Sequence, residues 1–247
     1  MTVLVVRTAA ALLIGNELLS GKIQDMNLVE LARTLRALGV SLKRAVTVPD
    51  EVDTIAEELR ALHSAHDVVF TSGGIGPTHD DVTIVGVARA FGLEVEPDPT
   101  LVQQIRRAYG ADCTEAHLRM ALVPAGATLR TSRDVEWPTP VVENVWILPG
   151  VPEIFRMKLD VVRAWIKGPE PFVSRALFTS LDEPSVQPLL DQVVALHPAV
   201  EIGSYPKWFE PSYRTKITFD ARDQKLVEAA LSDLLERLPV DQVVRVE

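Results

Sequence analysis

The stretch "DVVFTSGGIGPTHDDVT" (residues 67–83) runs from an apolar segment into three glycines, a proline, a histidine and two adjacent carboxylates. "DVVFT" (67–71) has the length and composition of a strand buried on both faces. The residues from about Asp81 to Phe91 have helical spacing. A buried strand that passes through a glycine-rich loop into a helix is half of a strand–helix–strand unit, and the unit recurs on the N-terminal side. The apolar opening "TVLVVRTAAALLIG" (2–15), interrupted by Arg7, is read as one first strand, of which "TAAALLIG" (8–15) is a short apolar run closed by glycine. From Asn27, Leu28, Leu31, Ala32, Leu35 and Leu38 follow one helical face, with Asn27 placed as the cap and Gly39 as the stop. "VSLKRAVTV" (40–48) is strand-like, and Asp50 is placed to cap a helix carrying Val52, Ile55, Ala56, Leu59 and Leu62. Alternating strands and helices imply an α/β fold with a parallel sheet and right-handed crossovers.

Further along, residues 97–123 read as mainly helical, and "PAGAT" and "WPTP" within 124–140 read as turns. "PVVENVWILPG" (140–150) reads as one strand, followed by a helix from Pro152 to about Ile166 with proline in its first turn. "KGPEP" (167–171) reads as a linker, giving domains at 1–168 and 171–247. In the second domain the order is strand (172–180), helix (183–196), strand (199–204), strand (213–219), helix (222–237) and strand (242–246). That β-α-β-β-α-β order is the pattern of a smaller ferredoxin-like α+β domain.

Composition narrows the function. The chain has 247 residues, 47% apolar and 24% charged, with a formal charge of −9. It is ordinary globular composition, and no Lys/Arg cluster is long enough to form an electrostatic footprint for nucleic acid. An acidic chain that binds an anion must do so locally, through backbone amides, a cation or one or two basic side chains. Cys113 is the only cysteine, which forbids an intrachain disulfide and points to a reducing, cytoplasmic compartment. The opening lacks a charged start and a cleavage-like end and is too short to span a bilayer.

In open parallel sheets, ligands sit beyond the carboxyl ends of the strands. Gly73, Gly74 and Gly76 occupy such a position, and glycine lets main-chain amides approach an anion closely. This loop lacks the Lys-Ser/Thr pair of a Walker A loop and the spacing of a dinucleotide fingerprint. Beside a phosphate, Asp80 and Asp81 would repel unless they held a divalent cation such as Mg²⁺ or positioned a water. The plain alternative is a tight turn with Asp81 capping the next helix and Asp80 favouring its dipole.

Two other strand ends join the argument. "IGNELLSGKIQDMN" (14–27) places Asn16, Glu17, Gly21, Asp25 and Asn27 in a loop after the earlier strand, and "VPDE" (48–51) follows the next one. With parallel strands, all three loops share an edge of the sheet. Glu17 is either a metal ligand or a solvated loop acid, Asp50 either a ligand contact or a cap, and Asn27 reads more naturally as a cap. His79 has no orienting partner in the sequence and is read as solvent-facing. The hydroxyls of Thr78 and Thr83 either donate to phosphate or complete a local turn. In the second domain "GSYPKWFEPSY" (203–213) concentrates Tyr205, Trp208, Phe209 and Tyr213 beside Lys207 and Arg214. Such a cluster either covers a flat heteroaromatic ring or forms a plug or subunit contact.

These segments resemble the MoaB/Mog-type molybdopterin-binding fold, and more closely its version in the competence-damage protein CinA and the N-terminal region of eukaryotic FAD synthases. The likeness is carried by "IGNELLSGKIQDMN", "VPDEVDTIA", "TSGGIGPTHDDVT", "NVWILPGVPE" and "IGSYPKW". It implies a three-layer α/β/α domain with a mostly parallel sheet that binds a pterin or nucleotide phosphate at the edge described, with homo-oligomers common. It implies catalytic roles at Asp50 and Asp81 and a divalent metal (Mg, Mn or Co) at Glu17, Asp80 and Asp81. It also implies ligand contacts by Gly15, Asn16, Gly21, Asn27, Ser72, Gly73, Gly74, Gly76, Thr78, Thr83, Pro149, Gly150 and Tyr205. In Mog-type relatives, acids matching Asp50 and Asp81 are tied to adenylyl transfer onto molybdopterin. The CinA and FAD-synthase branch is linked to metal-dependent cleavage of pyrophosphates such as ADP-ribose or FAD. The chain departs from the pattern at Asn16, where many relatives carry Asp. It also ends without the additional domain of a full-length FAD synthase or CinA, so neither FAD synthesis nor amidohydrolase activity is expected. The expectation is a pyrophosphohydrolase acting on a nucleotide diphosphate, with molybdopterin binding or adenylylation, or a non-catalytic nucleotide sensor, as alternatives.

Overall fold

The computed structural model describes residues 2–209 and 212–247. The apolar opening forms two strands: β1 (Leu4–Val5) stops before Val6 and Arg7, and β2 (Thr8–Ile14) follows. The chain continues through α1 (Asn16–Leu19), α2 (Asn27–Ala37), β3 (Ser41–Val48), α3 (Val52–Ala65), β4 (Val68–Ser72) and α4 (Thr83–Phe91). Next come β5 (Val95–Pro97), α5 (Pro99–Tyr109), α6 (Glu115–Arg119) and β6 (Leu122–Pro124). The first part closes with β7 (Thr128–Arg130), β8 (Thr139–Val142), β9 (Val145–Leu148), α7 (Pro152–Trp165) and β10 (Ile166–Lys167).

The principal sheet has the order β3-β2-β4-β9-β8-β7. The first four strands are mutually parallel, and β8 and β7 extend the sheet by antiparallel pairing. Period-two alternation divides the core: Ala9, Ala11 and Leu13 face α2 and α7, while Ala10, Leu12 and Ile14 face α3 and α4. Helices on both faces make three layers, as expected from the likeness. Gly86 of α4 permits the close approach of α3, since a Cβ there would lie 2.5 Å from Ile55 Cγ2.

Two readings of the middle region are corrected. Residues 124–140 hold strand β7 and the start of β8 rather than turns alone, and 140–150 contains two strands instead of one. The reversal falls at Glu143, with φ 50°, and Asn144, which donates to the carbonyls of His63 (3.2 Å) and His66 (2.8 Å) at the end of α3. A two-residue turn joins adjacent antiparallel strands when its backbone accepts positive φ. The apolar run on either side hid it.

The chain divides into two compact units between Pro169 and Glu170. The second unit contains β11 (Val173–Thr179), α8 (Glu183–Leu196), β12 (Glu201–Pro206), β13 (Thr215–Ala221), α9 (Gln224–Arg237) and β14 (Val243–Val246). Its antiparallel sheet has the order β12-β13-β11-β14, the split β-α-β arrangement expected from the element order. Leu177, Ile217 and Phe219 of the sheet share a core with Val186 and Val193 of α8 and Val227 and Leu234 of α9. Among the described residues, no helix is long and apolar enough to cross a membrane.

Candidate functional site

The strand register fixes where the loops emerge. Ile14 pairs with Val48, Leu13 with Ser72, and Ser72 with Leu148. The segments beginning at Gly15, Pro49, Gly73 and Pro149 therefore leave one edge of the sheet. The chain places β3 on one side of β2 and β4 on the other, so the crevice between the ends of β2 and β4 is the topological switch point where such sheets bind ligands.

Hydrogen bonds hold these segments together. Gly15 N donates to Val48 O (3.1 Å) and Gly73 N to Leu148 O (3.3 Å). The Asn16 N–H donates to Asp50 Oδ2 at 2.8 Å. Gly73 has φ 106°, and a Cβ there would lie 2.2 Å from Ile14 O, so only glycine fits. Gly150 packs against it, with space for a Cβ only 3.1 Å from Gly73 Cα. Thr83, fully buried, donates its hydroxyl to Gly73 O (2.8 Å), and its amide donates to Gly74 O (2.9 Å).

Several expected caps act elsewhere. Asp25, not Asn27, caps α2 by accepting from Leu28 N at 2.8 Å. Asn27 is 5% exposed and its amide donates to Ser72 Oγ (2.9 Å) and Gly150 O (2.8 Å). It therefore braces α2 against the ends of β4 and β9. Asp50 does not cap α3; it reaches back across the sheet edge to Asn16. Asp81 does not cap α4: its Oδ2 accepts from Thr78 N (2.8 Å) and Thr78 Oγ1 (2.5 Å). The Thr78 hydroxyl, with a single proton to share between the two carboxylates, also lies 2.6 Å from Asp80 Oδ1, and that hydrogen bond, with lesser help from Asp80's own amide and the neighbouring His79, holds the exposed Asp80 carboxyl below the usual carboxylate range. Among the described residues, no hydrogen bond engages Asp81 Oδ1.

A pocket of about 930 Å³ opens at this edge. Of the expected residues, its wall includes Glu17, Asn27, Ser72, Gly73, Gly74, Gly76, Thr78, Asp81, Pro149 and Gly150. Gly15, Asn16, Gly21, Asp50, Asp80 and Thr83 lie outside the wall, the last as a buried support. Tyr205 belongs to the second unit. There Tyr205 is 53% exposed, Trp208 88% and Phe209 fully exposed, so Trp208 and Phe209 are not buried as a plug among the described residues. Tyr213 stacks edge-on against Phe178 with centroids 4.8 Å apart. Residues 210–211 of that segment lie outside the described residues.

The metal expectation meets a plain test. Among the described residues, no three His, Cys, Asp or Glu side chains converge as a ready cage. Glu17 folds over Gly15, whose Cβ position lies 2.4 Å from Glu17 Oε1, whereas Asp81 lies over Gly76, with the corresponding distance 2.6 Å. The acids thus do not form the three-carboxylate set that was expected. The free oxygen of Asp81 with Asp80 beside it fits the looser arrangement in which an ion takes one or two carboxylates and completes its shell from ligand phosphates and water.

Sequence reasoning missed Lys158. This side chain is 4% exposed, lines the pocket and donates from Nζ to Trp137 O (2.5 Å) and Pro138 O (2.8 Å). Burial lowers its pKa to about 7. A signal was present, because Phe155, Lys158, Leu159 and Val162 fall on one face of α7, and a lysine on the buried stripe of an amphipathic helix is unusual.

Residues 10–167 match the model described as a probable molybdopterin binding domain. The chain belongs to this family. Residues 171–247 match the middle domain of FAD synthase. A protein of Archaeoglobus fulgidus is 34% identical over 226 residues, covering 91% of this chain and 95% of its own length. A probable FAD synthase of Caenorhabditis elegans is 31% identical over 260 residues, and this molybdopterin-binding-family chain, 94% of which is covered, spans half of that relative. Among solved structures, CinA from Thermoplasma acidophilum, a protein of unknown function, has a TM-score of 0.59 and 30% identity, over 64% of this chain and 97% of its own.

Proposed function

We propose that this chain hydrolyses the pyrophosphate bond of a nucleotide diphosphate such as FAD or ADP-ribose with the help of a divalent ion. The observation that carries the reading is the meeting, in the wall of one nucleotide-sized pocket, of a glycine loop with positive-φ residues and the half-free carboxylate of Asp81. Main-chain amides of Gly74 and Gly76 would hold a phosphate, the Gly73 amide being engaged by Leu148 O. Asp81 Oδ1, with Asp80 beside it, would hold the ion, which would supply positive charge beside the phosphates. Thr78 fixes both carboxylates, and Glu17 in the same wall adds a further acid. Asp50 acts through its bond to Asn16 N, positioning the loop that carries Glu17, rather than by touching the water. Water adds across the P–O–P bridge, one phosphate gaining hydroxyl and the other a proton; FAD yields AMP and FMN.

The match of the second unit to an FAD synthase domain supports the choice of FAD. The family description favours a second reading, a pterin-binding or adenylylating protein, which predicts retention of molybdopterin under anaerobic conditions and an adenylylated product with ATP. Self-association follows from the likeness alone. The test is AMP release from FAD and ADP-ribose with Mg²⁺, Mn²⁺ or Co²⁺. Asp81→Asn is expected to lower turnover about 100-fold or more. No AMP from either substrate, beside a relative that releases it, overturns hydrolysis; ligand binding without turnover leaves a sensor.

A further inference from the structure

Lys158 is a buried basic residue of the pocket that the phosphate loop does not use, whereas Arg119, also in the wall, is exposed. An ammonium has three N–H donors, and Trp137 O and Pro138 O accept two. Among the described residues, Lys158 has no ion pair. A neutral amine in the same place would spend both hydrogens on the carbonyls and leave its lone pair unused. A buried position that needed only packing would carry an apolar side chain, as at Phe155 and Leu159 on the same face of α7. Burial that brings the amine to a pKa of about 7 fits a group waiting for an acceptor instead of one neutralised by a fixed carboxylate.

Helix α7 also sets a distance. Pro152 starts it beside Gly150, which packs on Gly73, and Lys158 follows six residues later. At the rise of an α-helix that is about 9 Å along the axis. That offset separates backbone positions, so a ligand must extend beyond the phosphate held at the glycine loop to touch both.

We propose that Lys158 is a ligand-contacting residue that donates its third N–H to an acceptor oxygen or nitrogen at the far end of the bound molecule, and so selects nucleotide-length ligands over inorganic phosphates. The inference rests on phosphate binding at the glycine loop and not on turnover. Binding of ADP-ribose, FAD and inorganic pyrophosphate to the full chain and to Lys158→Met, measured by calorimetry at pH 6, where the amine carries its third N–H, tests it. The variant is expected to bind ADP-ribose and FAD about tenfold more weakly and pyrophosphate within twofold of the wild type. Unchanged binding of all three, or equal weakening of pyrophosphate, overturns it.

A second measurement uses only the wild-type chain, so that a poorly folded variant leaves the matter decidable. Acetylation of Lys158 by acetic anhydride, followed by mass spectrometry, should be slowed by ADP-ribose and not by pyrophosphate. Absence of protection, or equal protection by both, overturns the proposal. If ADP-ribose and FAD do not bind at all, this inference and the proposed function fall together. Lys158-dependent binding without AMP release removes hydrolysis alone.

Discussion

The two sides of the pocket are built by opposite means. The rim at Gly73–Thr83 uses main-chain groups fixed by neighbours close in sequence: Thr83 holds Gly73 and Gly74, and Thr78 holds Asp80 and Asp81. The facing wall draws Leu101 and Tyr109 from α5, Met120 and Trp137 from later loops, and Lys158 from α7. The rim offers main-chain amides and carboxylates, whereas the wall is largely apolar. On the proposed reading, recognition of a phosphate compound and selection among such compounds would fall to different parts of the chain.

The largest effect should come where the rim admits no side chain. Gly73→Ala combines a positive φ with a backbone clash on Ile14 O, and is expected to cost about 3 kcal/mol, a drop in Tm of about 10 °C, with loss of phosphate binding. A Tm within 2 °C of wild type, taken as roughly 1 kcal/mol or less, would break the account of the loop.

The wall should reveal itself through pH. Lys158 has a folded pKa of about 7, depressed from the ordinary 10.5. Between these values the unfolded chain holds a proton that the folded chain has released, so stability rises with pH across the window. Relative to Lys158→Met, the wild type should gain about 1.4 kcal/mol per pH unit above pH 7, measured by denaturant unfolding at pH 7, 8 and 9. Parallel curves would place the amine in contact with water and remove its distinction from the rim.

Thr83→Val keeps the shape but takes the donor from Gly73 O. It should cost about 1.5 kcal/mol and weaken pyrophosphate binding while leaving the dependence on Lys158 intact. The smallest effect belongs to Gly21→Ala. Its φ of 68° carries the same backbone strain, but no atom lies within 4 Å of the added Cβ, so about 1 kcal/mol is expected. If it matched Gly73→Ala, strain alone would explain the rim, and close approach would not matter.

The second unit's elements fell within two residues of their expected bounds, because each of its strands and helices shows its own period and is flanked by turn residues. The first unit was legible through β4, α4 and α7 but not through β7 to β9. Glu143 and Asn144 look unremarkable in an apolar run, and their reversal is stabilised by α3, far away in sequence. Asn27 and Asp50 were placed correctly at the strand ends and given the wrong partners. A polar residue at the start of a helix caps it by default, yet here the bonds to Ser72, Gly150 and Asn16 became available only after the sheet assembled.

By itself the sequence determined the two kinds of sheet, the order of their elements and the glycine-acid rim, since periodicity and local conformational preference act over a few residues. Only the tertiary structure decided that Asp50 stands behind the pocket wall, that Glu17 and Asp81 do not join in one cage, and that Lys158 lines the pocket while bonded to two carbonyls. Those outcomes depend on which distant segments share a boundary, and burial and hydrogen-bond partners exist only once that boundary has formed.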